Sequence, residues 1–248
     1  ATMRSKAYKV RGLTVPARTA PPAPELLPIG FVPALTWRGS VGAETYRIER
    51  ANSSQGPWKL IDSGISDAAV QYHPLFTDKG AKIERKYFYR IMAENLAGCS
   101  PASNTVGPVQ FSARLLSDDL TDLSKTYVHS GTAVIDTGSP RKAKEDIHRL
   151  KGSAGTYITY KVAGPIKSCS LYVFLPDETA DFKISVSSGN NEFTDLTVRS
   201  ESYSIGEGDY GYWKAVLYKA ENRSPASMIK IEFTGEAQLS RVEISYGD

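Results

Sequence analysis

Apolar and polar residues alternate with a period of two in short runs along most of the chain. Leu35 and Trp37 fall on one side of ALTW, and Tyr46, Ile48 and the stem of Arg50 fall on one side of TYRIER. Trp58 and Leu60 pair in GPWKLI, and Tyr87, Tyr89, Ile91 and Ala93 alternate in KYFYRIMAEN. The runs are bounded by Gly, Ser, Asp or Asn, which is the pattern of half-buried antiparallel strands. Beyond residue 111 the style continues, with strands predicted over 132–135, 156–162, 169–175, 182–186, 212–218, 228–233 and 239–245. The stretches SSGNNE and SIGEGDYG supply turn chemistry. So many strands in a short span predict a jelly-roll-like sandwich.

Helical spacing occurs once, at the start, where Met3, Ala7 and Val10 share a face. Lys9 and Arg11 suit a helix C-terminus, Gly12 a C′ position, and Pro16 a stop. This segment reads either as the last helix of an upstream domain or as a linker remnant. The stretch KAKEDIHRL has residues that favour helix, yet no helix is expected there. The Pro- and Ala-dense ARTAPPAPELLP marks a semi-rigid linker. The predicted fold class is therefore all-β, with two β-sandwiches in tandem. Residues 1–19 form the tail and linker, 20–110 the first sandwich and 111–248 the second.

Charge sharpens this picture. The 248 residues carry a formal net charge of +3, but five basic residues and no acid lie within residues 1–19. Residues 20–110 hold nine basic and eight acidic residues, and residues 111–248 hold sixteen and nineteen. Neither sandwich offers the basic face that tracking phosphates requires, so no nucleic-acid partner is expected. No apolar run is long enough to span a bilayer, so no membrane partner is expected either. Cys99 and Cys169 are too far apart in sequence to suggest a disulfide framework or metal spacing, and both are read as buried free thiols.

The sequence carries little that points to catalysis. Gly206, Gly208 and Gly211 satisfy GxGxxG, but the next residues read as a strand, and Glu207 and Asp209 would repel a phosphate. The acidic pairs Asp118–Asp119, Glu145–Asp146 and Asp177–Glu178 read as solvated charge. Asp118, Asp119, Glu145 and Asp146 are also candidates for a structural calcium. His73, His129 and His148 lack zinc spacing. Aromatic placement is more informative, because sugars stack their C–H faces on exposed rings. Tyr210, Tyr212 and Trp213 sit at a Gly-rich loop, and alternation sends one of the last two inward. His148 and Arg149, in the polar stretch EDIHR, supply hydrogen-bonding groups with solvent-accessible heads. Those five residues are the candidate ligand site.

Three resemblances extend this reading. Residues 24–110 resemble a fibronectin type III domain, an immunoglobulin-like sandwich. The resemblance rests on Pro24, Leu35–Trp37, TYRIER, Tyr87-Phe-Tyr-Arg-Ile91, Ala93-Glu-Asn95 and the run Gly98 to Asn104. It implies that Trp37 is the core tryptophan and Tyr87 the corner tyrosine. Residues 113–248 resemble a galactose-binding-like carbohydrate-binding β-sandwich, through DFKISVSSGNNEFTDL and MIKIEFTGEAQLSRVEISYG. The combination resembles the C-terminal region of bacterial family 5 glycoside hydrolases, particularly β-mannanases, through RAxxxxGPW (Arg50 to Trp58), KEDIHRLKG and YGYW. The catalytic barrel and its two carboxylates are missing from the sequence.

These resemblances imply a non-catalytic, polysaccharide-binding region of a secreted glycoside hydrolase. They imply an extracellular bacterial location, secreted or cell-surface, and an upstream catalytic domain as partner. The implied ligand is a β-linked plant polysaccharide of the mannan, cellulose or xylan type, with mannan favoured. The alternative is a pair of structural modules that stabilise or dock to the parent catalytic domain without touching sugar. An independent enzyme would need a catalytic constellation that the sequence lacks.

Overall fold

A computed structural model of the chain describes residues 19–67, 74–176, 180–189, 192–203 and 211–247. The helix expected over residues 3–11 lies outside them, as do Tyr210, His73 and the Asp177–Glu178 pair. The protein is all-β, built as two sandwiches, with no helix among the described residues. No helix there is long and apolar enough to cross a membrane.

In the first sandwich, Lys59–Ile65, Thr45–Ala51 and Lys86–Asn95 lie side by side. Gly98–Cys99 and Val106–Gln110 also pair with Lys86–Asn95. Two short pairs complete it, Glu25–Leu26 with Trp37–Arg38 and Ala34–Leu35 with Phe76–Thr77. The period-two pattern explains the core. Tyr87, Tyr89, Ile91 and Ala93 are buried and meet Leu35, Trp37, Tyr46 and Ile48. Trp37 stacks at a tilt on Tyr46, with ring centroids 5.2 Å apart. Burial also pushes the Tyr46 hydroxyl up to about 12, although it accepts the Ser40 N–H at 2.9 Å.

Tyr87 ties off a corner, because its hydroxyl accepts the Lys82 backbone N–H at 3.1 Å. Tyr87→Phe should therefore cost about 1 kcal/mol, the net worth of one hydrogen bond. A chemical-denaturation midpoint identical to that of the parent protein would show that this bond carries no weight. Arg50 follows the expected inward stem. Its guanidinium lies 4.6 Å from the Tyr87 ring centroid and bonds Asp78 at 2.6 Å. Asp78 also accepts the Tyr89 hydroxyl at 2.9 Å. Leu60 departs from expectation. It is 42% exposed, because Lys59–Ile65 is an edge strand that shows most of its side chains to solvent.

The second sandwich opposes a seven-stranded and a five-stranded sheet. The larger runs in the order Val134–Asp136, Arg149–Gly152, Ala237–Tyr246, Ile166–Leu175, Lys214–Glu221, Val198–Ser202, and Arg114–Asp118 also pairs with Ala237–Tyr246. The smaller runs Val128–His129, Tyr157–Lys161, Met228–Phe233, Phe182–Ser187, Thr194–Asp195. Alternate residues of the two inner faces, such as Leu171, Val173, Ile184, Ile231, Leu239 and Ile244, form one core. Gly152 is needed opposite Phe233 of the facing sheet, since a Cβ there would stand 2.7 Å from the Phe233 ring.

Ala237–Tyr246 is buried on both faces. Its outward residues are polar, yet Gln238, Ser240, Arg241, Glu243 and Ser245 are all covered. Cys169 is buried as expected, and burial pushes its thiol pKa up. Cys99 is exposed, against expectation, because it lies in a short hairpin beyond Asn95. Between the sandwiches the chain is short. Phe111 belongs to the first core, the Ser112 N–H donates to the Phe31 carbonyl at 3.1 Å, and Lys167 donates to the Ser112 carbonyl at 2.8 Å.

Candidate functional site

The segment from Ser139 to His148 folds as consecutive tight turns rather than helix. Lys144 and Glu145 have φ of 51° and 67°, the left-handed region that ends a right-handed turn. The Glu145 N–H closes the loop on the Pro140 carbonyl at 2.8 Å. Ala143, at its centre, is fully buried against Phe174 and Ala215 on the outer face of the seven-stranded sheet, with Tyr203 and Trp213 packed beside it.

This packing brings the two candidate segments together. The Trp213 N–H donates to the Lys142 carbonyl at 2.8 Å. The Arg141 guanidinium lies 5.3 Å from the Tyr212 ring centroid, and that of Arg149 lies 5.7 Å from the Trp213 ring centroid. Both rings are half-buried, so neither belongs to the main core. They precede the strand Lys214–Glu221 instead of lying in a strand that starts at residue 212. Ile147, 58% exposed, adds an apolar edge. His148 is half-buried, and its backbone N–H donates to Asp146 at 3.0 Å.

Arg149 requires a correction. Its head group is not solvent-accessible, and the residue is 0% exposed. Its guanidinium donates to the carbonyls of Asp146 and Gly138 and, at 3.4 Å, to Gln238. Backbone acceptors left by the turns need donors, and a planar fork reaches two of them at once. Arg149 is thus a positioning residue that holds the loop beneath the rings. Burial raises the Asp146 carboxyl pKa, while the Ser240 hydroxyl and the His148 N–H pull it back. Asp136 is held below its ordinary range, chiefly by the Gly138 N–H at 2.8 Å.

The four calcium candidates do not form one ligand set. Asp118 is buried and accepts the Tyr160 hydroxyl at 2.8 Å and the Leu120 N–H at 3.0 Å. Asp119 pairs with Arg241, Glu145 with Arg141 at 2.9 Å, and Asp146 with Ser240. Among the described residues no three His, Cys, Asp or Glu side chains are grouped to hold an ion.

A buried polar layer lies along the outer face of Ala237–Tyr246, beyond what the sequence reveals. Arg241 pairs with Glu243 at 2.8 Å, Tyr172 donates to Glu243 at 3.2 Å, and Gln238 donates to Asp136 at 3.0 Å. The alternation in AQLSRVEISY was visible, but polar positions on a strand read as solvent-facing.

No family model and no curated protein matches the sequence. Among solved structures, an Fn3-like protein from Clostridium thermocellum is 24% identical over 37% of this chain and 91% of that one, with a TM-score of 0.29. The C-terminal family 6 carbohydrate-binding module of a marine laminarinase from Zobellia galactanivorans is 12% identical over 53% of this chain and 98% of that one, with a TM-score of 0.35. An exo-β-1,3-galactanase from Phanerochaete chrysosporium is 15% identical over 91% of this chain and 57% of that one, with a TM-score of 0.33.

Proposed function

We propose that this chain is a non-catalytic polysaccharide-binding region, with its sugar site on the loop edge of the second sandwich. The observation that supports this reading is the meeting of two half-buried rings, Tyr212 and Trp213, with the guanidinium groups of Arg141 and Arg149. Ring faces that stack on sugar C–H surfaces, beside an exposed planar donor such as Arg141 that reads hydroxyls, are what a neutral glycan requires. In this proposal Tyr212 and Tyr210 offer stacking faces, Trp213 backs them, Arg141 and His148 donate to hydroxyls, and Arg149 holds the platform.

The resemblance to family 5 glycoside hydrolases suggests a secreted bacterial parent and a β-linked plant polysaccharide, mannan before cellulose or xylan. Tethering would raise the effective concentration of a catalytic domain at an insoluble substrate. Calcium plays no part in this proposal. A purely structural role is the second reading, favoured by the first sandwich's Arg50–Asp78–Tyr89 cluster, in which the buried Asp78 ties two adjacent strands.

Depletion of the protein from solution by insoluble mannan, cellulose and xylan tests the reading, and retention on none of a broad panel would sink it. Tyr212→Ala and Tyr210→Ala should each weaken binding by about 1–2 kcal/mol, the usual effect of losing an anchor ring. Binding should change little with salt, because a neutral ligand offers no charge to screen. Full-strength binding by both variants would place the site elsewhere.

A further inference from the structure

A second concavity lies between the two sandwiches, away from the loop edge. Its volume is about 530 Å³, within the range of small-ligand sites. The first sandwich lines it with Leu60, Leu75 and Phe76, and the second with Ser117, Asp119 and Lys125. Leu60 is the exposed edge-strand residue noted above, and here it forms part of an apolar wall.

The charges around this wall are unevenly matched. Arg50 is neutralised by Asp78, and Arg241 by Glu243 and Asp119. Lys125 leans towards the buried Asp118 at 3.5 Å. Lys59 and Lys79 are exposed and have no carboxylate partner among the described residues. The one other lining carboxylate, Asp62, accepts the Ser63 N–H. Two free ammonium groups therefore stand over an apolar wall, next to arginines whose charge is already spent.

We infer that this cleft is a second glycan subsite, which takes a sugar bearing an anionic group. The C–H face of the ring packs on Leu60 and Phe76, and the carboxylate or sulfate meets Lys59 and Lys79. Lysines are compact point charges that accept either anion. The inference rests on the chain being a glycan binder, but it uses none of the loop-edge residues.

Calorimetric titration of the whole chain tests it with three probes: an oligogalacturonate, a sulfated galacto-oligosaccharide and a neutral manno-oligosaccharide. The variants are Lys59→Ala/Lys79→Ala and Tyr212→Ala. Both lysines are surface side chains, so the fold tolerates their loss. At least one anionic probe should bind, and the stronger of the two identifies the anion. The double lysine variant should weaken that binding about tenfold, since two exposed ion pairs are together worth roughly 1.4 kcal/mol. Added salt should weaken it as well, and Tyr212→Ala should leave it intact. Failure of both anionic probes to bind, or binding unchanged by the lysine substitutions, overturns the inference. Failure of the neutral probe alone counts against the loop-edge site and leaves the cleft standing.

Discussion

Replacing Arg149 by alanine should destabilise the second sandwich by about 3–5 kcal/mol, the largest single-residue effect expected in that unit. The guanidinium is wholly enclosed and serves the carbonyls of Gly138 and Asp146 together with Gln238. Truncation strands these acceptors away from water, and an unmet buried polar group costs more than a hydrogen bond contributes. The turns from Ser139 to His148 should then lose their anchor, and with them the ledge that carries Arg141 next to Tyr212. Arg149→Lys should recover only part of the loss, because an ammonium cannot span two carbonyls in one plane. Urea unfolding followed by circular dichroism, with the two sandwiches treated as separate transitions, reads the effect. An unshifted second transition would mean that the loop does not depend on this side chain.

The first sandwich has an equivalent point of dependence in Trp37. Trp37→Ala should cost about 3–5 kcal/mol, as removal of a large buried ring leaves a cavity among Tyr46, Ile48 and their neighbours. The indole N–H has no hydrogen-bond partner among the described residues, so the loss is one of packing alone. Trp37→Phe should therefore cost less than about 2 kcal/mol. Equal losses in the two variants would contradict a pure packing role, and no loss in either would remove Trp37 from the core.

The strands were legible where one face meets the core and the other meets water. Met228–Phe233 begins and ends where its alternation does, and Tyr87, Tyr89, Ile91 and Ala93 face inward as their spacing requires. Legibility failed where a second layer covers the outer face. Gln238, Ser240 and the guanidinium of Arg149 carry solvent-type side chains, yet the segment from Asp136 to Asp146 covers them. Nothing local to Gln238 or Ser240 marks that enclosure, since their partners Asp136 and Asp146 lie about 100 positions away in the chain. Leu60 failed for the opposite reason, as an edge strand has only one neighbour to shield it. The proximity of the EDIHR and YGYW segments was readable as chemistry but not as geometry, because a contact between two loops leaves no periodicity.

The position of Ala237–Tyr246 in its sheet has a consequence for biosynthesis. This strand lies next to Ile166–Leu175 on one side and to both Arg114–Asp118 and Arg149–Gly152 on the other. Three earlier strands therefore gain this partner only once residues 237–246 have been made. The first sandwich needs nothing beyond Phe111 for its core, so it can close while the rest of the chain is still being made. The second must stay incomplete, with Ile166–Leu175 paired to Lys214–Glu221 alone and Arg114–Asp118 without a strand neighbour among the described residues, until residue 246 has emerged. The nascent chain thus passes through a long interval as one finished unit carrying an unfinished one, and during that interval chaperones have most to protect.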